Sequence, residues 1–158
     1  MAIFNAVLGD RPNQLHVMRE EDAAITAEQL LAPCMGERTE AGMRANIRVA
    51  LQYLEAWISG NGCVPIDGLM EDAATAEIAR TSIWQWIRHQ QMLNSGQQVT
   101  AELFLRWLSE ELHLLQNALG EARFSAGRYN DAAQLMAQIT TERELVSFLT
   151  LPGYRLIP

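Results

Sequence analysis

The sequence predicts an all-α fold, a compact bundle of about five to seven helices preceded by an irregular N-terminal connector. Three observations carry this prediction. Apolar residues recur at three- and four-residue spacing through most of the chain beyond Thr39. Thr, Asp and Gly stand where those runs begin and end. No run alternates as a strand, and neither an internal repeat nor a low-complexity tract is present.

Size and charge bound the function. A chain of 158 residues buries roughly two thirds of its unfolded surface and holds one core without covalent staples. Hydrophobic residues at 49% and charged residues at 20%, with four Trp, mark a folded rather than a disordered chain. A net charge of -7 with no local basic patch repels a phosphate backbone, so no nucleic-acid partner is expected. No apolar run reaches the roughly 18 residues of a membrane span, so no membrane partner is expected either. Cys34 and Cys63 share no CxxC or Cys/His spacing. The N-terminus carries no secretory pattern, and Leu156-Ile157-Pro158 is neither a peroxisomal nor a prenylation signal. Free thiols in the cytoplasm are the expectation.

The elements follow in order. Ala2 to Leu8 is apolar and helical but opens without a cap, as the continuation of a longer chain would. Gly9 to Gln14 reads as a turn and Leu15 to Met18 as extended. Thr26 and Gln29 have capping-box spacing ahead of Leu30 and Leu31, and Pro33 ends that short helix. Thr39 caps a long helix that runs to about Ser59, with Gly60 as the stop. Met43, Ile47, Leu51, Leu54 and Ile58 form its main stripe, and Val49, Tyr53 and Trp57 adjoin it, which implies burial on two sides. Arg44 and Arg48 lie on the polar side and read as solvated or as facing a neighbouring domain. A second helix begins at Asp72 and runs to about Leu93, with Ala73, Ala76, Ala79, Ile83 and Ile87 beside Trp84 and Trp86. Its small first turns suit both close packing and intrinsic helix propensity. After the Asn94-Ser95-Gly96 loop, Thr100 caps a helix with Phe104, Trp107, Leu108, Leu112, Leu115 and Leu119, and Gly120 ends it. Glu121 to Ala126 and Asn130 to Ile139 read as helices. Thr141 with Glu144 has capping-box spacing for a last helix through Leu149, closed by Pro152-Gly153.

The chemistry-bearing residues concentrate between Gly60 and Arg80, where two glycine turns, a cysteine, a proline and an acidic pair precede a helix. Asp72 stands at the helix start, and on spacing alone an N-cap is its plainest role. Glu71 beside it points elsewhere, so the two do not form a paired-carboxylate site. Glu77 and Arg80 read as an intrahelical pair. Cys63 reads as a small buried residue. His16, His89 and His113 share no metal-ligand spacing, and no nucleophile triad or phosphate-binding loop is present.

A colinear series of motifs adds to this reading. RPNQLHVMR from Arg11, TEAGMRANIRVA from Thr39, LMEDAATAEI from Leu69, WQWI from Trp84 and FLTLPGYRL from Phe148 together cover nearly the whole chain. The chain resembles the C-terminal part of malate synthase in its bacterial A-type form. The resemblance implies an enzyme of the glyoxylate cycle that condenses acetyl-CoA with glyoxylate and water to malate and CoA. Glyoxylate is bound there to Mg2+ in a TIM barrel whose mouth a C-terminal helical domain closes. It implies residues 1–36 as the end of the last barrel helix and a linker, and residues 37–158 as the helical domain. It makes Asp72 the general base that removes a proton from the acetyl methyl group, and it sets Cys63 and Met70 beside the acyl-CoA channel, although core packing is the plainer reading of both. The acids that hold Mg2+ belong to the barrel, so this chain is expected to bind no metal and to be inactive alone. Its implied partners are the barrel portion of the same enzyme, acetyl-CoA and glyoxylate. The competing reading is a stand-alone helical binding module that self-associates through an exposed face around Ala73 to Ile83.

Overall fold

The computed structural model describes residues 1–20, 24–32 and 36–157. It divides into two units, residues 1–36 and 37–158.

Among the described residues of the first unit are two short helices, α1 (Ala2–Leu8) and α2 (Ala27–Leu31), neither of which buries a residue. The capping box forms as expected: Thr26 Oγ1 accepts from the Gln29 amide at 3.2 Å, and Gln29 Oε1 accepts from the Thr26 amide at 2.8 Å. The expected extended run at Leu15 to Met18 is instead turned. Asn13 Oδ1 accepts from the Leu15 amide at 3.0 Å, and the Val17 amide donates to Gln14 O at 3.0 Å. An Asn side chain that binds the backbone two residues on bends a chain in this way. Pro33 and Cys34 lie outside the described residues.

The second unit is a helical bundle around α3 (Glu40–Ile58). Its other helices are α4 (Ala73–Arg88), α5 (Ala101–Leu119), α6 (Glu121–Ala126), α7 (Tyr129–Thr141) and α8 (Thr150–Gly153), with a 3-10 turn over Tyr154–Leu156. Helices α4, α5 and α7 all pack on α3. That arrangement is dictated by the breadth of its apolar surface: Met43, Ile47, Ala50, Leu51 and Ile58 are fully buried, and Tyr53 and Leu54 nearly so. Each large side chain so buried contributes roughly 1.5–3 kcal/mol relative to exposure. Helix α4 packs on α3, and its Ala76 and Ala79 are both buried, which fits the close packing that small first turns allow. Gly153 is needed at the far end, where a Cβ would lie 2.7 Å from the Trp57 ring.

Several local expectations are corrected. Val64–Ile66 (β1) and Leu69–Glu71 (β2) form a short antiparallel hairpin where no strand was expected. Helix α4 stops at Arg88 rather than near Leu93, because Gln90 takes a left-handed φ of 50°. The Gln91 amide donates to Trp86 O and the Gln90 amide to Ile87 O, the paired bonds of a Schellman stop. No helix starts at Thr141, whose hydroxyl donates back to Ala137 O at 2.8 Å; residues 142–149 are irregular. Side chains of α4 claim that segment's backbone groups instead.

Arg44 and Arg48 are not left to solvent. Glu111 of α5, whose side chain is only 1% exposed, accepts from Arg44 Nη1 at 3.1 Å and Arg48 Nε at 3.0 Å. Arg44 also donates to Glu110 and Glu40, and its guanidinium lies 4.6 Å from the Trp107 ring centroid. Burial works against the Arg44 charge, but the hydrogen bonds it donates to Glu110, Glu40 and Glu111 outweigh it and hold its pKa above the ordinary value. Glu111→Ala is expected to destabilise the unit by about 2 kcal/mol, below the cost of breaking a fully buried pair because Arg48 keeps 38% exposure. Urea unfolding of Glu111→Ala against the parent chain measures this, with Glu111→Gln expected to lose less.

Candidate functional site

The hairpin ahead of α4 is built on Asp67 and Gly68. Their φ values of 49° and 81° are the two positive angles of a type I′ turn, for which Asp-Gly is a preferred pair. The register that follows pairs Val64 with Glu71, Pro65 with Met70 and Ile66 with Leu69. Ile66 and Glu71 are buried and seat the hairpin, while Leu69 and Met70 stay 64% and 67% exposed. The next residue is Asp72.

Asp72 is extended, with φ -127° and ψ -174°, and caps α4. Its Oδ1 accepts from the Ala74 amide at 2.9 Å and the Thr75 amide at 3.4 Å. Its Oδ2 accepts no hydrogen bond among the described residues, and the side chain is exposed. One carboxylate oxygen therefore holds the helix end and orients the other outward. This is a pre-set acceptor on a rigid element, the geometry that proton abstraction requires.

Tyr53 of α3 lies behind this site. It is nearly fully buried, and its hydroxyl donates to Gly62 O at 3.3 Å. Burial, reinforced by the nearby Asp72 carboxylate, raises its pKa, so the phenol keeps its proton. The structure thus brings Asp72, Cys63 and Tyr53 together at the hairpin base. Sequence reasoning had placed Tyr53 only in a core stripe. Cys63 is exposed rather than buried, and Met70 is likewise exposed, which removes core packing as the account of either residue. Glu77 and Arg80 form the intrahelical pair that their spacing predicts. His16, His89 and His113 are all exposed. Among the described residues no group of three or more His, Cys, Asp or Glu side chains could hold a metal ion. No helix of the described residues is long and apolar enough to cross a membrane.

Residues 37–157 match the family described as malate synthase, C-terminal. Over 157 residues the chain is 71% identical to malate synthase A of Escherichia coli, a match that takes in 99% of this chain and 30% of that protein. The chain belongs to the malate synthase family. The relationship extends to glyoxysomal malate synthase of Zea mays, 44% identical over 98% of this chain and 28% of that protein. It extends equally to malate synthase of Streptomyces clavuligerus, 43% identical over 98% of this chain and 29% of that protein. The chain spans about three tenths of the length of these malate synthases.

Capping alone assigns Asp72 a measurable share of stability. Asp72→Ala should cost about 1 kcal/mol in urea unfolding, while Asp72→Asn, which still caps, should cost a few tenths at most. Equal losses in the two variants would mean that the cap is not what Asp72 contributes to the fold.

Proposed function

We propose that this chain forms the C-terminal helical domain of a malate synthase and supplies, through Asp72, the general base for condensing acetyl-CoA with glyoxylate. The observation that supports this reading is the division of labour within one carboxylate, with Oδ1 tied to the first turn of α4 and Oδ2 left open at an exposed hairpin base. In the proposed step Oδ2 takes a proton from the acetyl methyl group, and the electron pair of that C–H bond passes into the enolate. The enolate carbon then bonds to the aldehyde carbon of glyoxylate as the C=O π pair moves onto oxygen, the alkoxide so formed takes up a proton, and water cleaves the resulting thioester to release malate and CoA. Mg2+ belongs to the rest of the enzyme in this reading, as do most contacts to both substrates. The isolated chain is accordingly expected to be inactive. A cytoplasmic setting and a place in the glyoxylate cycle go with the same proposal.

Cys63 and Met70 flank Asp72 on the exposed side of the hairpin, where an acyl-CoA chain approaching Oδ2 would pass them. Exposure supports that placement over packing in the domain interior.

The test is Asp72→Asn in a full-length enzyme. The variant should fold as the parent does and lose about a thousandfold in CoA release, within the range that general-base catalysis supplies. Exchange of the acetyl methyl protons with solvent should be lost in parallel. Near-normal turnover would remove Asp72 from the mechanism.

A second reading rests on Leu69, Met70 and Ile78, three apolar residues each more than 60% exposed near Asp72. On this reading the domain associates with itself through that face and carries no activity. Gel filtration of the isolated chain distinguishes the two when set beside a mixing assay with the separately produced barrel portion. CoA release that appears only on mixing favours the catalytic reading, and a stable dimer with no activity on mixing favours the second.

A further inference from the structure

Residues 142–149 are held to α4 by an unusual set of bonds. Trp84 Nε1 donates to Glu142 O at 2.8 Å, Arg80 Nη2 donates to Val146 O at 2.6 Å, and Glu77 Oε2 accepts from the Leu149 amide at 3.0 Å. Positions 77, 80 and 84 share one face of α4, so three side chains in a row grip three backbone groups of one irregular segment. Glu77 and Arg80 are further joined to each other, Arg80 Nε to Glu77 Oε2 at 3.0 Å with a second bond from Nη2 to Oε1.

Packing alone does not account for this choice of residues. Arg80 is 1% exposed, and its Nη1 is buried with no hydrogen-bond partner among the described residues. A buried charge with an unsatisfied donor costs stability that an apolar side chain of similar volume would avoid. What directional bonds provide and apolar contacts do not is a fixed register. Two helical surfaces packed through methyl groups can slide by a fraction of an ångström at little cost. Three bonds spread over two turns fix both the axial position and the rotation of α4 against the segment that follows α7. Beyond that segment the chain is anchored again, by Arg128 Nη1 on Leu156 O at 3.1 Å and by the Trp57–Tyr154 ring contact.

Asp72 sits on the same rigid helix, roughly 7.5 Å along the axis from Glu77 and about 18 Å from Trp84 at 1.5 Å per residue. We infer that Glu77, Arg80 and Trp84 are positioning residues for the condensation, a polar latch that sets where α4 presents Asp72 Oδ2. This inference rests on the general-base reading of Asp72. Proton abstraction from carbon is steeply sensitive to approach distance, and a misplacement of about 1 Å costs on the order of a hundredfold in rate.

The test uses the full-length enzyme carrying Trp84→Phe, which keeps the aromatic packing and deletes one N–H. The kcat should fall about tenfold with the KM for acetyl-CoA within about twofold, as expected of a sub-ångström displacement. The deuterium isotope effect on kcat, measured with trideuteroacetyl-CoA, should rise as proton abstraction becomes more rate-limiting. A purely structural role lowers the amount of folded enzyme and leaves the isotope effect unchanged, so a fall in kcat without that rise overturns the inference, as does a normal kcat. Arg80→Met and Arg80→Lys form the second arm, with Lys expected to recover part of the rate that Met loses. Asp72→Asn measured alongside separates the two possible failures. Full turnover there removes the base assignment and the latch's catalytic role together, whereas a dead Asp72→Asn beside a normal Trp84→Phe removes the latch alone.

Discussion

Helix α3 must bury apolar side chains around most of its circumference, and the rest of the second unit is arranged to cover it. A helix with one apolar stripe needs one neighbour, whereas α3 carries Met43, Ile47, Leu51, Leu54 and Ile58 on one side and Ala50, Tyr53 and Ala56 beside them. Helices α4, α5 and α7 supply the cover. The small residues of α4 follow from this, because a helix that must approach the central one closely cannot carry bulk at Ala76 and Ala79. So does the reach of Asp72, since a cap on a helix packed this tightly inherits the rigidity of the core. The candidate base is exposed, yet the element that carries it is among the best anchored in the chain.

The charged residues drawn into the interior obey a different logic. Glu111 is buried with two arginines on it, and the arrangement joins α3 to α5 across a contact that apolar side chains could have filled. Buried ion pairs contribute little net stability against a hydrophobic replacement, but they tolerate few alternative alignments. Arg80 and Glu77 do the same between α4 and the segment before α8. Both sets sit where a helix has to be held in register with a neighbour, and between them they lock two of the helices that surround α3.

Much of this was legible in the sequence, and the parts that were not share a cause. The N-caps at Thr39, Asp72 and Thr100 and the stop at Gly60 use residues whose side chains or φ angles declare their role locally, and the structure has them as read. The stop of α4 has the same Schellman bonding as the stop of α3, but Gln90 occupies the left-handed position that Gly60 fills in α3, and glutamine carries no such signal. Thr141 and Glu144 have good capping-box spacing, yet the backbone beyond them is taken by Trp84, Arg80 and Glu77, 58 to 72 residues earlier in the chain. Local propensity lost there to tertiary hydrogen bonds. The hairpin is a different case, because Asp67-Gly68 between short apolar runs was a readable signal that the helical periodicity on either side obscured. Asp72 as a cap came from spacing, whereas its proposed chemical role entered only through the family resemblance, since an N-cap and a base look alike in one sequence.

The two roles are physically compatible once the two oxygens are considered separately. A carboxylate has lone pairs enough to accept from Ala74 and Thr75 on Oδ1 and still present Oδ2 to a substrate. Capping removes rotational freedom that a solvent-exposed aspartate would otherwise keep, so the entropy of orienting the carboxylate is met during folding. The hairpin contributes on the other side, because Ile66 and Glu71 hold it down while Leu69 and Met70 remain outward, leaving an apolar margin next to the open oxygen. An apolar surface closing over that margin would exclude water from Oδ2 and strengthen its interaction with an approaching methyl group. The structural role of Asp72 is therefore the means by which a single exposed carboxylate is held in the orientation that its proposed chemistry needs.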